Sequence, residues 1–533
     1  MFFKMEEKMK QTKKIVALIM GLTLFTGSLF AGGSQQNSGQ SSGKKVLTIA
    51  SQDPQVPLDM QLNTYSLISR ITDSTSETLL YGTADGGIKP LLLTGMPTAS
   101  ADGLTFSFEL KKGVTFHNGA PLTSKDVKYS YERLIKKIKM ASLLEQVAGY
   151  QAFADGKAAD LSGFKIIDDL HFSITLSETY TPFVSVLSTA YCAIYPAEAC
   201  EAAGDEWGLS VLYGTGPFKF VRYVMGEEAV IEKYPAYHGS PAKIDEIVYK
   251  FIPSANTQVL EYEKGNVDIV YLDTTLYPTY ANGPLKGEIQ DYPRVGGWFM
   301  SMNVKKIADV RIRQAISLSI DREAICKGIM YGTAKPATGF IPAGLIGYND
   351  KLPVLEYNPT KAKQLLADAG YPNGYDLTVA INTRYTAGVA LATAFQAQAK
   401  ASGINVTINS MDSAGWTDMR SSGALVTGFG NWYVDYNDPD SMLYPVKDSR
   451  TDLSSTFWHN AEFKSLMEQG VKTSDTAARQ KIYERANEIL SREEYPVAMV
   501  YNEMSFYLQK PYVSGYSMGA DGRFSFADTV INK

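Results

Sequence analysis

Ten residues at 431–440, "NWYVDYNDPD", gather a tryptophan, two tyrosines and three aspartates around a proline, directly after the apolar, Gly-rich run "GALVTGFG". Such a cluster can hold calcium, do acid–base chemistry, close a polar turn after a buried strand, or receive a cation. Counted as a calcium loop from Asp435, the third position is Asn437, but the fifth is Pro439 and the sixth is Asp440, where a glycine is wanted. A paired-carboxylate hydrolase needs one acid held in an apolar setting that raises its pKa, and among 56 acidic residues pairs alone decide nothing. Recognition remains. A carboxylate beside aromatic faces suits an ammonium group, through charge-assisted hydrogen bonds and cation–π attraction. An α-amino acid derivative also carries a carboxylate, for which an arginine fork is the natural partner. Arg384, in "INTRYTAG" after the strand Leu377–Ile381, is such an arginine or an ordinary loop residue.

Other chemistry is weakly represented. "GYSMG" at 515–519 fits the nucleophile-elbow pattern, but no helical pattern follows it and no histidine lies beyond His459. His117, His171, His238 and His459 are far apart and none sits in H-E-x-x-H, so no sequence-local metal site is present. "GQSSGKK" at 39–45 lacks the spacing of a phosphate loop. The expectation is no catalytic residue, no metal and no cofactor.

The elements that must position these residues begin after a leader. Residues 10–31 carry lysines, the apolar run Ile15–Phe25 and small residues near Ala31, the pattern of a signal peptide over 1–31. Its core is too short to span a bilayer. A Ser/Gly/Gln/Asn tract over 32–45 reads as a flexible tether. Gly33 stands where a lipoprotein junction has its cysteine, so a membrane anchor is expected only if a lipidated cysteine replaces it. Removing 1–31 moves the formal charge from -5 to -8, which argues against nucleic acid as partner. The remaining length exceeds one core and implies two or three domains. Cys192 and Cys200 could pair or be packed thiols, and no disulfide framework exists.

From Val46 to Thr115 the pattern is mostly strands. In "GLTFSFELKKGVTF", Leu104, Phe106, Phe108 and Leu110 share one face, and "PLTSKDVKYSYERL" then starts a helix with Thr123 as cap and Asp126 in the first turn. Its stripe is Val127, Tyr131 and Leu134. "GTGPFKFVRYVMGEEAVIEKY" gives two runs around a turn, and "PAKIDEIVYKFIPSANTQVLEYEKGNVDIVYL" is strand, helix, strand. Near residue 300 longer helices begin: "DVRIRQAISLSIDREAICKGIM" is helical in spacing, and "NPTKAKQLLADAGY" stops at Gly370. "YDLTVAINT", "AGVALATAFQAQAKASG" and "INVTINS" form a second strand–helix–strand unit. The fold class is α/β, a mostly β part followed by an α/β lobe, with the cleft between lobes the favoured place for a ligand.

These motifs, in this order from about 46 to 516, resemble the large extracytoplasmic solute-binding proteins of ABC importers, family 5, which take oligopeptides, dipeptides, nickel chelates and some oligosaccharides. "DGLTFSFELKKGVTFHNGAPLTSKDVKYSYERL", "GTGPFKF" with "PAYHGSPAKIDEIVYKFIP", "DVRIRQAISLSIDREAI", "NPTKAKQLLADAGYPNGYDL" and "WYVDYNDPDSML" carry the resemblance. It implies a periplasmic-binding-protein type II fold, a three-lobed clamshell with mixed sheets. The lobes it implies are lobe I at 46–87, 214–300 and 505–533, lobe Ib at 88–213, and lobe II at 301–504. It further implies a monomeric receptor, periplasmic or otherwise extracytoplasmic, that is not an enzyme and hands short peptides to a membrane permease. By the same resemblance Asp435 receives the ligand's amino group, Trp432, Tyr433 and Trp416 line pockets, and Arg384 takes the ligand carboxylate. Main-chain groups of "FGNWY", including Gly430, and of Asn63–Ser66, including Tyr65, hold the peptide backbone. Phe429 stands where some tri- and tetrapeptide binders carry an arginine, which favours short peptides. Asp438 and Asp440 are expected to cap and turn the chain. An oligosaccharide or metal chelate is the alternative ligand, and an exported hydrolase a further alternative.

Overall fold

"VLTIAS" alternates because it forms β1 (Val46–Ser51), with Leu47 and Ile49 buried. The computed structural model describes residues 43–63, 65–83, 87–137, 141–447, 456–519 and 522–533. The leader over 1–31 and the tether up to residue 42 lie outside the described residues. The last tether residues are pinned: Lys44 pairs with Glu246, and the Lys45 N–H donates to Asp245 Oδ2 at 2.8 Å.

After β1 the chain enters α1 (Ser66–Thr75) and then a small antiparallel sheet. Its strands are β2 (Thr98–Ala99) and β3 (Thr105–Glu109), then, beyond helix α2 (Ser124–Lys137), β4 (Phe164–Ile166) and β5 (His171–Thr175), in spatial order β2-β3-β5-β4. The inward face of β3 is as the alternation requires: Phe108 and Leu110 are buried, and Phe108 stacks on Phe172 at 4.8 Å. The start of α2 is fixed by the Thr123 N–H and hydroxyl, which both donate to Asp126 Oδ2, at 2.9 and 2.8 Å.

The predicted hairpin is β6 (Phe218–Val224) with β7 (Glu228–Lys233). The next unit is β8 (Glu246–Phe251), α3 (Ala255–Glu263) and β9 (Ile269–Tyr271), whose two strands flank β1, both parallel to it. The chain then crosses on β10 (Ile289–Met302) into the second part. There the run read as helical divides into α4 (Val310–Leu318) and α5 (Arg322–Gly328), because Asp309 and Asp321 each cap a separate N-terminus. The break is held by Arg322, whose buried guanidinium donates to the carbonyls of Met499, Ser317, Ile320 and Leu355. Next come β11 (Ala334–Pro336) and α6 (Pro359–Asp368), which starts on an Asn358 cap. Gly370, at φ +95°, ends it as expected.

β12 (Tyr375–Asn382), α7 (Thr386–Ala399) and β13 (Ile404–Met411) form the second unit, parallel from Tyr375↔Ile404 to Asn382↔Met411. α8 (Ser413–Ser421), β14 (Thr427–Tyr433), α9 (Pro439–Lys447), α10 (Ala461–Lys472) and α11 (Thr476–Glu488) follow before the return strand β15 (Val497–Gln509).

One mixed eleven-stranded sheet runs β13-β12-β14-β10-β15-β9-β1-β8-β7-β6, with β11 also on β15. Its two longest members, β10 and β15, belong to both halves, so the predicted limits near 300 and 504 fall within strands. Their mutual ladder breaks between Pro293 and Gly297 and again between Trp298 and Phe299. Glycine is required at the first break: Gly296 sits at φ +144°, and a Cβ there would lie 2.2 Å from the Trp432 carbonyl oxygen. Apolar packing is separate on either side. One cluster joins β1, β8 and the small sheet, while another centres on Trp298, Val379, Phe395 and Val500. Cys192, Cys200 and Cys326 are free, buried thiols, which settles the open question of a bridge.

Candidate functional site

β14 owes its position to an asymmetric pairing. It runs antiparallel to β10 over Thr427–Tyr433 but parallel to β12 only at Thr427 and Gly428, so its other edge is unpaired from Phe429 onward among the described residues. The Val434 N–H donates to the Val295 carbonyl at 3.0 Å, which sets the phase of the ladder. By antiparallel alternation Trp432 and Gly430 bond to β10, and the N–H and C=O of Asn431 and Tyr433 point to the open side. β12 and β14 are parallel, so Arg384 after β12 and Asp435 after β14 leave the sheet at its same end, where ligands of α/β sheets bind.

The glycines of "GFG" differ. A Cβ on Gly428 would meet Trp416 Cη2 at 2.7 Å and the Ala380 carbonyl oxygen at 2.9 Å, so Trp416 of α8 packs directly on that residue. Gly430 has room, its nearest neighbour being Phe299 Cζ at 3.9 Å.

Past Tyr433 the chain is folded back by Ser441, in the first turn of α9. Its carbonyl accepts from Trp432 Nε1 at 2.7 Å and its hydroxyl accepts from the Asp435 N–H at 2.9 Å. Trp432 also stacks on Tyr444, at 6.0 Å between centroids. Further along, Asp438 caps the Asp440 N–H at 2.9 Å and pairs with Arg479 Nη2 at 2.9 and 2.8 Å. Asp440, fully buried, accepts from the Tyr180 and Tyr436 hydroxyls at 2.7 and 3.0 Å. Asp438 does the capping expected of it, whereas Asp440, in the first turn of α9, is a buried acceptor for two tyrosine hydroxyls.

Asp435 is different. Burial pushes its carboxyl up to about 7, a hydrogen bond from the Tyr191 hydroxyl draws it partly back, and no ion pair to it is formed among the described residues. Desolvated, just past the end of an open strand edge and without a counter-cation among the described residues, such a carboxylate can accept a positive charge.

Gly430, Trp432, Tyr433 and Asp435 come together on one strand end, and Trp416 packs against its root. Tyr433 is only partly available as a wall: its hydroxyl bonds to Glu503, and the Arg294 guanidinium covers its ring at 3.5 Å. Arg384 is exposed, its guanidinium 5.8 Å from the Tyr385 ring, with no carboxylate partner among the described residues. Tyr65 is 43% exposed ahead of α1. Neither touches Asp435. Tyr191, Tyr180, Arg294 and Glu503 were not legible as site residues, because each reaches this segment from far along the chain. "GYSMG" carries a two-residue strand, Ser517–Met518, with no helix after it, so it is not a strand-to-helix elbow. Among the described residues no three His, Cys, Asp or Glu side chains converge as a metal site, and no helix is long and apolar enough to cross a membrane.

An open strand edge ending in an uncompensated carboxylate, beside the joint of two separately packed halves, is the architecture of a ligand-capturing protein. The chain belongs to the bacterial extracellular solute-binding proteins, family 5, the substrate-binding receptors of ABC transporters; the family model, its "Middle" region, matches residues 87–453. It is similar to heme-binding protein A of Haemophilus influenzae, 26% identical over 452 residues, 81% of this chain and 82% of that one. It is also similar to the periplasmic oligopeptide-binding protein OppA of Escherichia coli, 28% identical over 471 residues, 84% of this chain and 85% of that one. Among solved structures, the binding protein DppA from Helicobacter pylori in complex with the peptide STSA superposes with a TM-score of 0.74 at 25% identity, covering 92% of this chain and 98% of that one. These relatives are binding proteins, and the expected fold class is borne out.

Proposed function

We propose that this receptor captures short peptides in the cleft beside β14 and delivers them to a membrane permease. The observation that carries the reading is Asp435, a desolvated carboxylate with no ion pair among the described residues, at the end of a strand edge whose Asn431 and Tyr433 main-chain groups are open. The edge takes the peptide backbone by strand addition, and Asp435 takes its amino group. Main-chain pairing is indifferent to side chains, so sequence tolerance is broad. Arg384, leaving the same end of the sheet, takes the terminal carboxylate, and Trp432, Trp416 and Tyr65 line side-chain space. Lobes I and Ib on one side and lobe II on the other, with the limits given above, close about the broken β10/β15 ladder. The receptor works outside the cytoplasm and as a monomer.

The heme-binding relative favours a second reading, the same receptor with a non-peptide ligand. Native mass spectrometry of the purified protein, followed by denaturation and identification of released small molecules, separates them. A ladder of peptide masses is expected; a porphyrin, sugar or chelate mass overturns the peptide assignment while keeping the receptor.

A further inference from the structure

The segment 178–181, just after β5, reaches from the small sheet across to α9 and α10 in the second half of the chain. The buried Tyr180 hydroxyl donates to Asp440 Oδ2 at 2.7 Å and lies 3.0 Å from the Tyr436 hydroxyl. The Thr181 N–H donates to the Val471 carbonyl at 2.6 Å, and the Thr181 hydroxyl donates to the Thr473 carbonyl at 3.2 Å. Glu178 pairs with Lys472 at 2.9 Å.

These contacts have the make-up of a hook. Val471 and Thr473 stand at the C-terminal end of α10, where the last carbonyls have no partner within the helix. Thr181 brings them two donors, and Pro182 behind it disfavours a helical backbone at Thr181, which holds those donors ready. Tyr436 is buried in the same apolar cluster as β1, β8 and the small sheet, and Val471 packs against that cluster, so the contact is apolar as well as polar. The Glu178–Lys472 pair is about half exposed at both ends and adds little. Tyr191, from the same side as Tyr180, donates to Asp435 beside Tyr436, so the hook also keeps that hydroxyl against the carboxylate of the site. Asp440 keeps the Tyr436 hydroxyl if the hook parts, and water can meet the helix-end carbonyls, so the contact can break and re-form.

We propose that Tyr180 and Thr181 form a clasp that fastens the small-sheet lobe to α9 and α10 and holds the receptor closed without ligand. The clasp then sets the closed population of the empty receptor, and a ligand adds to a closure already partly made. The inference rests on the lobe closure proposed above, but not on the ligand's being a peptide.

Distances between spin labels on Lys157→Cys and Lys464→Cys test it, in the full protein freed of ligand by unfolding and refolding. Both positions are exposed and the native thiols are buried, so labelling is selective. The parent should show a short-distance, closed population. Its closed-to-open ratio should fall about fivefold or more in Tyr180→Phe/Thr181→Val and far less in Lys472→Met, with cooperative unfolding retained. If the double variant does not fold, Tyr180→Phe alone reads the same ratio. An empty parent that shows only the long distance overturns the clasp, since closure then needs ligand. The same ratio in parent and variants also overturns it. Lobe closure itself falls only if the distance is, in addition, identical before and after the unfolding step that removes ligand.

Discussion

The two ends of one decapeptide are made of the same residue types and are treated oppositely by the fold. At its tail, Asp438 and Asp440 are buried and fully engaged, by Arg479 and by two tyrosine hydroxyls. At its head, Asp435 is desolvated beside the Tyr191 hydroxyl, with no ion pair among the described residues. Burial raises the Asp438 carboxyl and Arg479 pulls it back, whereas at Asp435 only the Tyr191 hydroxyl opposes burial. The difference separates scaffold from site: a carboxylate paired within the chain fixes geometry, whereas one left unpaired keeps its charge for something from outside.

Making the tail resemble the head gives the largest effect. Arg479→Met strands the Asp438 carboxylate in the interior and should cost about 3–5 kcal/mol of stability in urea unfolding, with peptide affinity unchanged at a temperature where the variant is folded. A cost under about 1 kcal/mol would mean that the tail is not held by that pair.

The strand leading into the segment offers the same contrast. Gly428→Ala, pressed against Trp416 and the Ala380 carbonyl, should lower stability by about 1–3 kcal/mol, while Gly430→Ala has room and should change it by less than about 0.5 kcal/mol. Thermal unfolding of the two variants checks the order, and equal losses would remove the distinction between a packed root and an open tip.

The smallest effect is a titration. With the Asp435 carboxyl at about 7 against an ordinary 3.8, its proton-linked contribution to the empty receptor's stability is full below 3.8 and is lost as pH rises through about 7. Ligand binding runs the other way, since an ammonium group needs the ionised form: affinity for a peptide should rise roughly tenfold between about pH 6 and about pH 8, with proton release on binding. Titration calorimetry in buffers of different ionisation enthalpy reads both, and Asp435→Asn should abolish the pH dependence. A flat profile in the parent protein would place Asp435 with its paired neighbours.

Much of this was legible in the residues. Alternation located β1 and β3 because each buries one face, whereas β7 buries Ala229, Val230 and Ile231 in succession, and Gly370 marked a helix end because its backbone is left-handed there. The division between α4 and α5 was not, since Asp321 looks like any polar helix position until its side chain is seen accepting from the Ala324 N–H. The aromatic and carboxylate content of 431–440 pointed to the site, and family resemblance singled out Asp435. What no local pattern could supply was the environment that distinguishes the aspartates, because Tyr180, Tyr191 and Arg479 arrive from distant segments. The break in β10 went unread, although "YPRVGGW" holds the proline and glycines that make it, and its partner β15 lies some two hundred residues away by chain position.

The shared strands also order the life of the chain as it is made. β9 receives its outer neighbour only when Ile269 meets Gln509, 240 residues later, and β10 depends on the same return strand. Until β15 arrives, the first half presents a bare edge bearing Val270 and Leu272, the kind of surface that chaperones cover and proteases read. Closing the central sheet is therefore a late proofreading step, in which a single returning segment certifies both halves at once.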